Sequence, residues 1–325
     1  MRIVIMETGS FGVPTVKRLY ESSHEIVALV TQPRPEEKPN AKPVRDALPE
    51  PEVVQLAQAH GTPVLRFARI KNPEAVEQLK ALQADVFFIC DYGQILSKEG
   101  IQAARLGGIN LHGSILPKYR GSAPVQWTVF HGDSVAGATV IHITPEVDAG
   151  PMLSVVKTDV DENETADQLE RRLAELGAPE VVRAMDQLER DPNHVSTAIV
   201  QEAALACGAP KLKKAMAQID WSTSAEAIRN KVRAFEPWPR TFTTWQKSPK
   251  KPPMRLILLP IPEILSIRVP EGTEPGTVLA VGDVLAVATG NGALGIRRLQ
   301  PAGKKPQTIP EFLCGNSVQP GDVLK

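Results

Sequence analysis

The sequence holds few cysteines. The three present, Cys90, Cys207 and Cys314, lie far apart, and no two form a Cys-x-x-Cys pair. That spacing excludes a disulfide framework and a cysteine zinc site. Long apolar runs are missing too. None approaches the roughly 18 residues a membrane helix needs. The opening Met-Arg-Ile-Val-Ile-Met reaches Glu7 too soon to serve as a signal-peptide core, so a cytoplasmic location is expected. Phosphate-loop, G-x-S-x-G and H-E-x-x-H patterns are absent, and Gly9-Ser-Phe-Gly12 departs from G-x-G-x-x-G. His24, His60, His131, His142 and His194 show no metal-ligand spacing, and no metal is expected.

The chain also lacks net charge, with 37 basic and 37 acidic side chains, but its two parts differ. Residues 1–200 carry 20 basic and 27 acidic groups, a balance of −7, and residues 201–325 carry 17 and 10, a balance of +7. A basic C-terminal third is a solvated surface or an attraction for nucleic acid. With 42% hydrophobic residues the chain is an ordinary folded protein, and 325 residues suit two domains rather than one.

Arg2 to Met6 is a β-branched run broken by Gly9, Gly12 and Pro14, which predicts strand, turn and helix. Further strands are predicted at 25–32, 63–65, 85–90 and 109–112, with helices at 53–60 and 73–83 between them. Alternation of this kind implies a parallel sheet with helices on both faces. Residues 138–144 and 150–159 read as extended, and 165–188 as a long amphipathic helix. From about Cys207 lysine, proline and tryptophan rise. Short β-rich stretches follow at 255–259, 276–281, 284–289 and 294–299, a pattern predicting a small β-barrel. The boundary is placed at 206/207, giving domains 1–206 and 207–325.

The densest chemistry lies in Gly108-Ile-Asn-Leu-His-Gly-Ser-Ile-Leu-Pro-Lys-Tyr-Arg-Gly-Ser-Ala-Pro124. Asn110 and His112 stand two residues apart at a strand end and point the same way. An amide donor and an imidazole aimed at one spot suit carbonyl chemistry. Asp148, in Val-Asp-Ala-Gly150, is a carboxylate available to pair with His112 or to move protons. Singly, each is as well explained by turn or core structure.

Together, Asn110, His112, Ser114, Leu116, Pro117, Lys118, Tyr119, Arg120, Gly121, Pro124, Asp148 and Gly150 resemble the signature of the folate-dependent formyltransferase family. The resemblance implies a Rossmann-like α/β domain followed by an OB-like barrel. It implies 10-formyltetrahydrofolate as formyl donor and an amine as acceptor. Asn110 would hold the formyl oxygen, His112 would assist, and Asp148 would hold the histidine and relay protons. Ser114, Ile115, Leu116 and Pro117 would lie along the folate, with Asp91, Tyr92 and Gly93 near the pterin. Pro210-Lys-Leu-x-Lys, Ile219-Asp-Trp-Ser222, Ala234-Phe-x-Pro-Trp-Pro239 and Leu299-Gln-Pro-Ala-Gly-Lys-Lys305 resemble the C-terminal part of members acting on initiator methionyl-tRNA. For those, the tRNA contacts would come from Arg34, Lys38, Lys42, Arg45, Arg233, Arg297, Lys304 and Lys305. A monomer without membrane attachment is expected. Two other assignments stay open: the same chemistry on a different amine such as an amino sugar, and a non-catalytic tRNA- or folate-binding relative.

Three stretches depart from the family pattern. The 33–45 loop carries two acids and no Gly-Arg-Gly. Cys90-Asp91 stands where small apolar residues are usual, so that Asp91 either touches the pterin or faces solvent. Met6-Glu-Thr-Gly-Ser-Phe11 lacks the usual Thr-Pro.

Overall fold

The computed structural model describes residues 1–34, 49–193, 198–247, 250 and 252–325. They form two compact units. The first comprises residues 1–124, 135–158 and 170–210, and the second comprises 125–134, 159–169 and 211–325. The two units thus exchange short stretches of chain that no local sequence signal announces.

The first unit is built on β1 (Arg2–Glu7), β2 (Glu25–Thr31), β3 (Val64–Arg66), β4 (Val86–Cys90), β5 (Gly108–His112), β6 (Val135–His142) and β7 (Met152–Asp159). They form one seven-stranded sheet in the order β3-β2-β1-β4-β5-β6-β7. The strands from β3 to β5 are parallel, while β6 runs antiparallel to β5, with Asn110 opposite Ile141 and His112 opposite Thr139. The all-parallel expectation therefore stops at β5. The chain leaves β1 first towards β2 and later returns on the other side as β4. The crevice beyond the carboxyl ends of β1 and β4 is where open α/β sheets bind ligands.

Helices α1 (Val13–Tyr20), α2 (Glu52–Ala59), α3 (Pro73–Ala81), α4 (Lys98–Ile101), α5 (Pro124–His131) and α6 (Ala166–Arg190) complete this part of the chain. In α1, Pro14 suits the first turn and Lys17 and Arg18 suit the last, while Val13, Val16 and Leu19 are buried. In β1 every residue from Ile3 to Glu7 is buried. Val4 and Met6 pack with Val30, Leu79, Phe87, Ile89 and Tyr92. Each such side chain contributes about 1.5–3 kcal/mol when taken from water.

The second unit carries α7 (Ala225–Ala234), β8 (Phe242–Trp245), β9 (Met254–Leu258), β10 (Glu263–Leu265), β11 (Val278–Val281), β12 (Leu285–Ala288), β13 (Ala293–Ile296), β14 (Arg298–Pro301), β15 (Gln307–Thr308) and α8 (Ile309–Leu313). The expected small barrel is realised as two four-stranded sheets, β10-β13-β12-β11 and β15-β14-β9-β8. One core joins them, including Trp221, Ile228, Trp245, Leu256, Val287, Leu294, Leu299 and Phe312. The expected strand 294–299 is in fact two, β13 and β14, which belong to different sheets. Ser224 caps α7 by accepting the Ala227 N–H, and Thr308 with Glu311 forms a capping box on α8. Among the described residues no helix is long and apolar enough to cross a membrane.

Candidate active site

Strand β5 lies inside the sheet, so its side chains are held by neighbours on both edges. Asn110 is half-buried, and its carboxamide makes no hydrogen bond among the described residues. An amide left unengaged at a sheet end is a donor ready for an external oxygen.

His112 is 5% exposed. Its Nε2 lies 2.9 Å from the Tyr119 carbonyl oxygen. A carbonyl only accepts, so Nε2 carries the proton. The other nitrogen, Nδ1, faces Asp148 Oδ2 at 3.6 Å. That same oxygen accepts the Gly121 N–H at 2.9 Å. Asp148 thus stands beside the imidazole, tied to the loop that also supplies the Tyr119 carbonyl.

That loop is pinned at several points. The Tyr119 N–H donates to Cys207 Sγ at 3.2 Å, the Arg120 N–H to the Cys207 carbonyl at 2.9 Å, and the Ala209 N–H to the Arg120 carbonyl at 2.7 Å. Tyr119 and Asp148 both adopt left-handed backbone, with φ of 62° and 52°, a conformation that needs support from its surroundings. Gly121 has a φ of 129°, and a Cβ there would come 2.6 Å from the Ala209 oxygen. A Cβ on Gly150 would lie 1.7 Å from the His142 oxygen. The Arg-Gly and Asp-x-Gly spacings are therefore steric requirements.

Gln201 carries no sequence signal, and the structure brings it to the centre of this arrangement. It is 7% exposed. Its Nε2 donates to the carbonyls of Asp148 and Gly150, each at 2.8 Å. Its Oε1 accepts from Arg120 Nε at 3.0 Å and Nη2 at 2.9 Å. One amide thereby fastens the Asp148 turn to the 117–121 loop. Only tertiary structure reveals it, because it stands 53 residues beyond Asp148.

The residues expected along the folate divide in two. Ser114 and Leu116 are buried. Ser114 Oγ donates to the Lys118 carbonyl at 2.7 Å, and the Leu116 N–H donates to Thr139 Oγ1 at 3.2 Å. They shape the turn that presents this segment. Ile115 and Pro117 are half-buried and present the accessible part of this segment. Tyr92 sits beneath this surface. Its ring belongs to the core behind β4, and burial pushes its phenol well above the usual value. Its carbonyl accepts from Gln32 Nε2 at 2.7 Å. Asp91 and Gly93 are exposed beside it, both with positive φ.

The expected tRNA-contact residues also fare differently. Lys38, Lys42 and Arg45 lie outside the described residues. Arg34 pairs with Glu50 at 3.1 Å, and Arg66 takes the same carboxylate at 2.9 Å. These bonds, that from Arg66 foremost, hold Glu50 below its usual pKa. Arg233 is corrected, since it is 5% exposed. Its guanidinium donates to the Glu164 and Asp161 carbonyls at 2.9 and 3.3 Å and to Asn230 Oδ1 at 3.2 Å. It closes the fold and offers no face to a phosphate. Arg297 is paired with Glu263. Lys304 and Lys305 are exposed in the turn after β14.

His24 gains partners that spacing did not foretell. Its Nε2 lies 3.3 Å from Asp186, and the Met1 ammonium bonds Glu189 at 2.7 Å beside it. This network ties the start of β1 to α6.

Comparison with known proteins adds a second line. Residues 1–185 match the family model described as formyl transferase, and residues 211–317 match formyl transferase, C-terminal domain. A methionyl-tRNA formyltransferase of Rhodopirellula baltica is 38% identical over 331 residues, covering 100% of this chain and 96% of that protein. The methionyl-tRNA formyltransferase of Bacillus subtilis is 35% identical over 328 residues, covering 99% and 97%. Among solved structures, the sugar 3N-formyl transferase WlaRD superposes with a TM-score of 0.60 at 15% identity, covering 94% of this chain and 99% of that one. HypX from Aquifex aeolicus, solved with tetrahydrofolic acid, gives 0.58 at 14%, with 96% of this chain matching 46% of that one. At such identities the structural likeness is one of fold.

Proposed function

The chain belongs to the formyl transferase family, and on that premise we propose that it transfers the formyl group of 10-formyltetrahydrofolate to the α-amine of initiator methionyl-tRNA. The acceptor follows from the full-length likeness to methionyl-tRNA formyltransferases. The observation that carries the chemistry is the unengaged Asn110 carboxamide beside a His112 whose Nε2 proton is fixed by the Tyr119 carbonyl.

In the reaction the acceptor nitrogen bonds to the formyl carbon, the bond from that carbon to the folate nitrogen breaks, and the proton lost by the amine passes to the folate nitrogen. Asn110 donates to the formyl oxygen as it gains negative charge. One such donor contributes about 100-fold or more to turnover. His112, with Nε2–H engaged, has Nδ1 for proton movement, and Asp148 faces that nitrogen. An α-amine with a reference pKa of about 7.7–8.0 offers a sizeable neutral fraction near neutrality, so alignment and oxyanion support are the main needs. Residues 1–206 perform this step. Residues 207–325, with Arg297, Lys304 and Lys305, hold the tRNA backbone, joined by the 33–45 loop. Ile115, Pro117 and Gly93 flank the folate. The enzyme works in the cytoplasm as a monomer and needs no metal.

The test is acceptor choice. The purified chain with 10-formyltetrahydrofolate is offered charged initiator methionyl-tRNA and, separately, a nucleotide-linked amino sugar. Formylation of the tRNA alone supports the proposal. Formylation of the sugar alone would replace the acceptor, and tight tRNA binding without turnover would replace the activity.

A further inference from the structure

Thr8, Gln32 and the 91–93 turn follow directly on β1, β2 and β4, three neighbouring parallel strands in the order β2-β1-β4. Residues just past the carboxyl ends of such strands line the crevice in which open α/β sheets hold ligands. The backbone of this turn is constrained. Asp91 and Gly93, on either side of Tyr92, both have positive φ, 42° and 76°. A residue other than glycine persists in that region only where its surroundings hold it.

The Tyr92 carbonyl is the point that is held. It accepts from Gln32 Nε2 at 2.7 Å and from the Thr8 hydroxyl at 3.3 Å, which fills both of its lone pairs. The Thr8 hydroxyl in turn accepts from the Thr31 hydroxyl and from the Gln32 N–H, each at 3.3 Å. With one hydrogen donated and two accepted, its capacity is full. Thr31 is 1% exposed, so this knot is anchored in the sheet. A side chain at position 93 would collide with the same amide, since Gln32 Nε2 lies 2.5 Å from where a Cβ on Gly93 would sit. Three strand ends thus meet on one backbone oxygen, and Gly93, which follows it, is exposed.

We propose that Thr8 and Gln32 are positioning residues for the formyl donor: by fixing the Tyr92 carbonyl they set the Tyr92–Gly93 peptide against which the pterin of the folate lies. This deepens the proposed function and rests on Gly93 flanking the folate there. Both residues act through the turn. A turn already set before the ligand arrives need not be ordered on binding. Loss of the knot therefore shows in donor affinity and not in the chemical step, which belongs to Asn110, His112 and Asp148.

The test uses the full chain and the variants Gln32→Ala, Thr8→Val and Thr8→Ser. Steady-state transfer gives KM for 10-formyltetrahydrofolate and for charged initiator methionyl-tRNA. Calorimetric titration gives affinity for 5-formyltetrahydrofolate, and thermal melting gives stability. Gln32→Ala and Thr8→Val should each raise the donor KM and weaken 5-formyltetrahydrofolate about tenfold. The acceptor KM, and kcat at saturating substrates, should stay within about threefold. Thr8→Ser keeps the hydroxyl and should hold donor affinity within about twofold of wild type. If Thr8→Val does not fold, the half-buried Gln32→Ala decides together with Thr8→Ser. Variants that melt earlier yet bind 5-formyltetrahydrofolate as tightly as wild type would overturn the proposal and leave the knot a support of the fold. So would a fall in kcat with both KM values unchanged, or a Thr8→Ser protein as weak for the donor as Gln32→Ala. A wild-type chain that binds 5-formyltetrahydrofolate, with these losses in the variants, but does not formylate methionyl-tRNA would sink the proposed acceptor and keep the knot.

Discussion

Replacing Gln201 with alanine removes four hydrogen bonds made by one buried amide. The Gly150 carbonyl lies in a buried setting, so losing its donor costs about 1–3 kcal/mol. The Asp148 carbonyl is partly buried and adds about 1 kcal/mol. Arg120 is partly exposed, so water replaces its lost partner at about 1 kcal/mol. The sum is about 3–5 kcal/mol of stability. Turnover also falls. Asp148 keeps the Gly121 N–H but loses the tether on its own carbonyl, and a loosened partner for His112 costs about tenfold in kcat. Gln201→Glu is the sharper contrast. It keeps an acceptor for Arg120, yet sets an oxygen against two carbonyl oxygens and a second charge beside Asp148, so kcat falls further than in the alanine variant. Urea unfolding and single-turnover formyl transfer measure both effects. A Gln201→Ala protein with unchanged unfolding midpoint and kcat within twofold of wild type would refute the clamp.

Glu7 makes stability depend on pH. Its folded pKa is raised, so the folded state holds a proton that the unfolded chain releases above about 4.5. Stability is therefore full below that value and falls by up to about 1.4 kcal/mol per unit as pH rises towards the folded value. Glu7→Gln should flatten this slope above about pH 4.5, and parallel slopes in thermal melts of the two proteins would contradict it. Gly150→Ala should fail to fold or lose more than about 3 kcal/mol, since its Cβ would overlap the His142 carbonyl, and a soluble variant with normal melting would count against this. Arg233→Ala should destabilise the second unit without changing the salt dependence of tRNA binding. Lys304→Ala and Lys305→Ala should leave stability alone and each lower the salt slope by about 0.7–0.9. Filter-binding titrations across salt concentrations tell the two classes apart.

Much of the first unit was legible because its strands are short β-branched runs punctuated by Gly and Pro, and the period of two at Asn110 and His112 placed both on one face. The antiparallel turn at β6 was not legible, because pairing direction depends on partners far along the chain. The barrel strands were harder. Residues 294–299 read as one strand, and only the pairing of β13 with β10 and β12, and of β14 with β9 and β15, divides them. In the site, the trio of Asn110, His112 and Asp148 stood out as chemistry-bearing types in a tight motif. Gln201 and the Tyr119 carbonyl did not, since an isolated amide and a backbone oxygen carry no pattern. Arg233 misled for the opposite reason. A basic residue near a helix end looks like surface, whereas this one lies beneath backbone carbonyls.

The central claim is that an unengaged Asn110 amide, next to a tautomer-fixed His112, supports formyl transfer to methionyl-tRNA. The most direct test is single-turnover transfer from 10-formyltetrahydrofolate to charged initiator methionyl-tRNA by wild type and Asn110→Ala, with folate binding and melting measured on both. Because the Asn110 side chain bonds to nothing among the described residues, the variant should melt as wild type, bind folate, and transfer at least about 100-fold more slowly. Transfer within a few-fold of wild type in a folded, folate-bound Asn110→Ala protein would contradict the account.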